Sequence, residues 1–254
     1  MAKSDTLMEM AKIVTFRRGV WCLELSFKPM RMITVDVPQP TGKYEKTLVW
    51  YMVYRVRNLG RHLAPQARPD QFGHESFTTQ AVNHEVRFFP SFVLESYAEG
   101  REPKGYLDRL IPVAIPAIRE REDPAIPLLN SVEITQRPIP VSQEREDHSV
   151  WGVATWTDID LKTDFFSVFV SGLTNAYQFD DPEGAFTAGA APGTGRVFRT
   201  RQLRLNFWRP GDEVDPNENE IYYGIPVLEK PEEQQRMLDI FGIPTRLDYE
   251  WIYR

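Results

Sequence analysis

Residues 47–58, TLVWYMVYRVRN, restrict what this chain can fold into more than any other stretch. Read at every second position, one face is Leu48, Trp50, Met52, Tyr54 and Val56, and the other is Val49, Tyr51, Val53, Arg55 and Arg57. A period of two belongs to a strand, and β-branched and aromatic residues suit a pleated, buried surface. The first face is apolar throughout, which predicts a place in a core between two sheets. The second is apolar for half its length. That predicts a cover of loop, helix or second subunit over Val49, Tyr51 and Val53, and solvent at Arg55 and Arg57.

Other segments repeat the strand signal. VWCLELSF (20–27), RMITVDV (31–37), FFPSFVLES (88–96), SVEITQRPIPV (131–141) and IYYGIPVL (221–228) read as strands, and GRVFRTRQLRLNFWRPG (195–211) as a long one. SVWGVATW (149–156) and DFFSVFVSGLTNAY (164–177) read as a strand pair joined by TDIDLKT. Residues 61–87 read as irregular. Pro112 and Pro116 argue against a regular helix in 106–124. One helix is predicted in KPEEQQRMLDIFGI (230–243), with Pro231 in its first turn, Glu232 and Glu233 at its positive end, and Gly242 as its C-cap. Residues 1–12 offer only a short helix that nothing anchors.

No βαβ alternation and no internal repeat is visible. The fold class is therefore all-β: a single antiparallel β-sandwich of immunoglobulin-like architecture, with long loops and one C-terminal helix. The expected limits are a loosely held segment at 1–19, the sandwich at 20–228, and the helix with an aromatic tail at 229–254.

Composition narrows the function classes. The chain has 254 residues, 42% hydrophobic and 26% charged, which is globular and long enough to bury a core without staples. A net charge of −6 predicts no broad basic surface, which argues against nucleic acid and anionic membrane as partners. No apolar run approaches the roughly 18 residues of a membrane span. The single cysteine, Cys22, cannot form an internal disulfide and reads as a core residue. The first 21 residues lack the apolar stretch and small-residue cleavage site of a secretory signal, which points to the cytoplasm.

Motifs with a known chemistry are missing: no Walker loop, GxGxxG, GxSxG, HExxH or CxxC occurs. GAAPGTG (189–195) lacks the Gly-Lys-Ser/Thr ending that holds phosphate, and reads as a loop. Asp158, Asp160 and Asp164 could gather oxygen ligands for calcium, but Asp also favours turns by bonding its own backbone, and the turn is the better reading. The acidic loop DEVDPNENE (212–220) is similar. His62, His74 and His84 match no metal-ligand spacing. No cofactor is expected. Trp50, Tyr51, Trp151, Trp156, Trp208, Tyr222 and Tyr223 could form a sugar-stacking platform, yet packing between sheets is the commoner use of such residues. With 36 acidic residues, candidate carboxylate pairs for a hydrolase are too many to inform. Arg196, Arg199, Arg201 and Arg204 lie along the 195–211 strand, with Arg199 and Arg201 on one face: a solvated edge, or a surface for a negatively charged partner. The tail, with Tyr249, Trp251, Ile252 and Tyr253, could add a strand to its own sheet or to a neighbour's, or pack on the second face of 47–58.

The phrases FKPMRMITVDVPQPTGK, LVWYMVYRVRN and SVWGVATWTDIDLKTDFFSVFVSGLTNAY resemble an uncharacterised family of exported β-sandwich proteins from planctomycete-type bacteria. The resemblance spans most of residues 24–177 and touches the 201–210 strand. It implies a place in the cell envelope and carries over no catalytic residue. The combined expectation is a non-enzymatic structural or protein-interaction sandwich, with Tyr51, Arg55, Arg57, Arg199, Arg201, Tyr249, Trp251 and Tyr253 meeting a protein partner or a second copy. The alternatives are a carbohydrate-binding module and a hydrolase with an unrecognised carboxylate site.

Overall fold

The computed structural model describes residues 18–69, 71–72, 75–185, 189–191, 193–210 and 221–254. Its first strands are β1 (Glu24–Phe27), β2 (Arg31–Pro38), β3 (Tyr44–Arg57), β4 (His62–Pro69) and β5 (Glu75–Val82). Next come β6 (Val86–Arg87), β7 (Ser91–Tyr97), β8 (Lys104–Leu107), helix α1 (Ala114–Glu122), a 3-10 turn at Glu133–Gln136 and β9 (Pro138–Ile139). The chain continues through β10 (Val150–Trp156), β11 (Phe165–Ser171), β12 (Tyr177–Asp180), β13 (Val197–Trp208), β14 (Tyr222–Tyr223), helix α2 (Pro231–Phe241) and β15 (Tyr249–Tyr253).

Two long strands organise two antiparallel sheets, as the period-two pattern predicts. In the first sheet β3 is central, with β1 and β2 end to end along one side and β10 along the other. In the second, β13 has β12 and β11 end to end on one side, with β7 and β8 beyond β11, and β15 and β14 end to end on the other. Trp50, Met52, Tyr54 and Val56 of β3 meet Phe166, Val168 and Val170 of β11 and Leu203, Leu205 and Phe207 of β13 in the main core. Pro38, Pro40 and Gly42 shape the turn before β3, where the Gln39 N–H donates to the Lys43 carbonyl at 2.8 Å. Gly152, opposite Tyr54 on β10, is required by packing: a Cβ there would lie 2.4 Å from the Tyr54 ring.

Several expectations need correction. The 149–156 and 164–177 strands do not pair. β10 belongs to the first sheet and β11 to the second, so TDIDLKT crosses the sandwich. Residues 61–87 are not irregular: β4 and β5 form a two-stranded ribbon. Most of β5 is exposed, so no burial imposes alternation on it, and Pro65 and Pro69 sit where only an edge strand tolerates them. Residues 106–124 do contain a helix. Pro116 is the third residue of α1, where its missing N–H belongs to the donors that have no partner within a helix. Residues 131–141 are mostly the 3-10 turn, with strand only at Pro138–Ile139. The 20–27 and 221–228 strands shrink to Glu24–Phe27 and Tyr222–Tyr223.

The second face of β3 is covered by α1, not by the tail. Val49, Tyr51, Val53 and Val153 pack on Ile111, Ala114, Ile118 and Leu128. The Tyr51 hydroxyl donates to Glu122 at 2.9 Å, and Arg31 donates to the same carboxylate oxygen at 3.1 Å. The C-terminal helix forms as predicted. Pro231 is at its start, Glu232 and Glu233 are in its first turn, and Gly242 closes it in the left-handed region at φ 65°. It covers the outer face of the second sheet, where Met237, Leu238 and Phe241 meet Tyr97, Ile225 and Ile243.

Candidate functional site

The tail and its neighbour bring five of the eight expected contact residues onto adjoining strands. β15 pairs with the middle of β13, with Tyr249 opposite Leu205, Trp251 opposite Leu203 and Tyr253 opposite Arg201. The phase of this ladder is set by its ends. Arg254 and Thr200 exchange N–H···O bonds of 3.0 and 2.8 Å, and the Asn206 N–H donates to the Asp248 carbonyl at 3.0 Å. In an antiparallel ladder bonded and non-bonded pairs alternate. Glu250 and Ile252 therefore direct their backbone groups at β13. Tyr249, Trp251 and Tyr253 direct theirs away from it, to an edge that no other strand covers among the described residues.

Side chains of the same three residues point to the inner face of the sheet, beside the core leucines Leu203 and Leu205. Trp251 packs on the main core, while Tyr249 is 55% exposed. Opposite them runs β1. The Lys28 N–H bonds the Val53 carbonyl at 2.8 Å, so Leu25 and Phe27 also turn their backbone groups to an edge that no strand covers among the described residues, while their side chains pack inward. Between the two edges lies an apolar groove of about 280 Å³, walled by Leu25, Phe27, Leu203, Tyr223, Tyr249 and Trp251, with Glu24 its one charged residue. Leu25 and Phe27 are not among the contact residues expected from the sequence. Their alternation with Glu24 and Ser26 is the signal, but the facing edge is distant in sequence.

Arg201 is buried, not solvated as expected. Its guanidinium lies 5.5 Å from the Trp251 ring and 5.6 Å from that of Tyr253, so it stiffens the ladder from inside. Burial pushes the half-buried Cys22 thiol up to about 11, against the opposing charge of Arg201, which keeps it a thiol at neutral pH. Arg199 stays exposed and pairs with Asp180 on the ribbon formed by β12 and the start of β13. One face of that ribbon carries Tyr177, Phe179 and Phe198, all about half exposed, with the Arg196 guanidinium 3.8 Å above the Phe179 ring.

The remaining candidates lie elsewhere. Tyr51 is fully buried under α1 and presents nothing to a partner. Arg55 and Arg57 share Asp147 at 3.5 Å each, and Arg55 lies over Trp151. The three aspartates do not converge. Asp158, in the left-handed region at φ 61°, accepts from Arg109 at 2.8 Å beside a groove of about 570 Å³. Asp160 accepts from the Lys162 N–H at 3.0 Å within a turn. Asp164 lines a separate cleft of about 420 Å³ beside α2, where burial raises its carboxyl against the charge of Arg209. Among the described residues no group of three or more His, Cys, Asp or Glu side chains is arranged to hold a metal ion. His62 and His84 lie with ring centroids 4.4 Å apart and their planes tilted by 52°, while His74 and the 212–220 loop lie outside the described residues. Trp50, Tyr51 and Trp156 are buried, and Trp208 stacks on Tyr222 at 4.8 Å, so the seven aromatic residues form no common row. No described helix is long and apolar enough to cross a membrane. No family model, curated protein or solved structure matches the chain.

Proposed function

We propose that this chain is a non-enzymatic interaction protein that receives an extended polypeptide segment along β15. The observation that carries the reading is the alternation at that edge: Tyr249, Trp251 and Tyr253 offer outward backbone donors and acceptors while their side chains wall an apolar groove. An added strand would satisfy the backbone groups and place every second side chain in the groove, so that hydrogen bonds supply affinity and side-chain fit supplies selectivity. Such an edge favours a peptide backbone over a sugar or a lipid, because only a strand presents N–H and C=O groups at the matching two-residue interval.

The test is a fluorescein-labelled ten-residue peptide of alternating valine and threonine with one terminal lysine, titrated against the full chain. Saturable binding that Tyr253→Pro weakens about tenfold is the expected result, since proline removes one outward donor and blocks the edge. Absence of binding, or equal binding to the proline variant, overturns the reading.

A further inference from the structure

We infer that the occupant of this edge is a second copy of the chain, joined β15 to β15 in antiparallel fashion about a two-fold axis at Trp251; the inference rests on the strand-accepting reading above. The three outward-bonding positions are spaced symmetrically about Trp251. Rotation about that point sets Trp251 against Trp251 and Tyr249 against Tyr253. Each of these is a hydrogen-bonded pair in phase with the free backbone groups. The inner face then carries aromatic rungs, which are favourable cross-strand neighbours.

Charge agrees with this register. On the outer face Glu250 falls opposite Ile252, and Asp248 falls opposite Arg254, which is opposite in sign. Asp248 and Arg254 retain 33% and 49% side-chain exposure, so both remain accessible beside their present partners Arg246 and Glu95. A slip one step one way sets Glu250 against Glu250. A slip the other way gives up the Trp251–Trp251 rung and sets Ile252 against Ile252. The register about Trp251 pairs all three aromatic residues with aromatic residues and avoids the like-charge contact of the first slip.

The edge also lacks the usual protection. Isolated edges are blunted by proline, lysine, bulges or short length. β4 carries Pro65 and Pro69, and β8 begins with Lys104. β15 reads Tyr-Glu-Trp-Ile-Tyr, with none of these residues and with regular pairing to β13 throughout. An unprotected, self-complementary edge is what a two-fold sheet extension requires.

The experiment is light scattering of the full chain over a dilution series, with hydrogen exchange of the Tyr249, Trp251 and Tyr253 amides followed in the same samples. A mass that doubles on concentration, with those amides protected only in the concentrated sample, is the expected result. Tyr249→Pro should raise the dimer dissociation constant at least about tenfold while circular dichroism and Tm stay near the parent values, because β13 does not use that N–H. A monomer at every concentration overturns the inference, as does a dimer whose three amides exchange freely. If the chain stays monomeric but the labelled strand peptide binds, the partner is another polypeptide and the strand-accepting reading stands. If the peptide also fails to bind, both fall.

Discussion

The two outer faces of the sandwich are each sealed by a helix, but by different chemistry. On the first sheet Ile111 and, from α1, Ala114 and Ile118 seal Val49, Tyr51 and Val53, and the buried charge belongs to the cover: Glu122, at the end of α1, accepts from Tyr51 and Arg31 and pairs with Lys28. On the second sheet a buried guanidinium sits beneath the cover. Arg204 donates to Ser167 Oγ at 3.1 Å, Glu250 at 3.0 Å and the Phe241 carbonyl at 2.6 Å. Asn206 holds Ser167 Oγ at 2.6 Å and the Leu247 carbonyl at 2.8 Å. On the first face the directed bonds gather at the end of α1, at Arg121 and Glu122. Directed bonds to the end of α2 and to β15 fix position, and the candidate edge depends on that position.

The contrast makes graded predictions. Arg204→Ala should be the most damaging change, destabilising by about 3–5 kcal/mol, because it empties a buried site and leaves the Phe241 carbonyl and the half-buried Glu250 carboxylate without their partner. Chemical denaturation measures the loss, and faster amide exchange in β15 should accompany it. A loss under about 1 kcal/mol would mean that the directed bonds of Arg204 do not hold the second cover in place. Ile118→Ala should cost about 2–4 kcal/mol through the cavity it opens under α1. Its effect should stay on the first face, leaving exchange in β15 unchanged. Gly152→Ala should cost about 1–3 kcal/mol by overpacking against Tyr54 in the shared core, and should loosen both faces alike. Tyr51→Phe should cost only about 1 kcal/mol, since Arg31 and Lys28 still hold Glu122.

The smallest effect separates the faces by charge. Burial raises the hydroxyls of both Tyr51 and Tyr97. The Glu122 hydrogen bond and charge raise Tyr51 further, whereas the Arg204 guanidinium pulls Tyr97 back down. A raised phenol stabilises the fold fully below its unfolded value of about 10 and loses that contribution as pH climbs through the folded value. Comparing the alkaline phenolate titration of the parent with those of Tyr97→Phe and Tyr51→Phe should therefore show the step lost with Tyr97 at lower pH than the step lost with Tyr51. The reverse order would remove the electrostatic distinction between the two covers.

Legibility followed burial. β3, β10, β11 and β13 could be read because a buried face imposes a period of two on sequence. The β4–β5 ribbon could not, because exposed strands carry no such constraint, and α1 was hidden because Pro116 reads as a breaker until its position in the first turn is known. Of the candidate site, the aromatic tail was visible in Tyr249, Trp251 and Tyr253. The burial of Tyr51 and Arg201 was not, since alternation tells which residues share a face and not what lies on it.

By itself, then, the sequence determined the all-β class, the long central strands and the capped C-terminal helix, because hydrophobic period and cap chemistry are local. Only the tertiary structure decided that β10 and β11 lie in opposite sheets, that α1 covers Tyr51, and that β15 lines β13 with its outer edge uncovered among the described residues. Those are choices among partners far apart in the chain. Any strand's backbone can pair with any other's, so the choice falls to the packing of whole sheets and leaves no mark in a single segment.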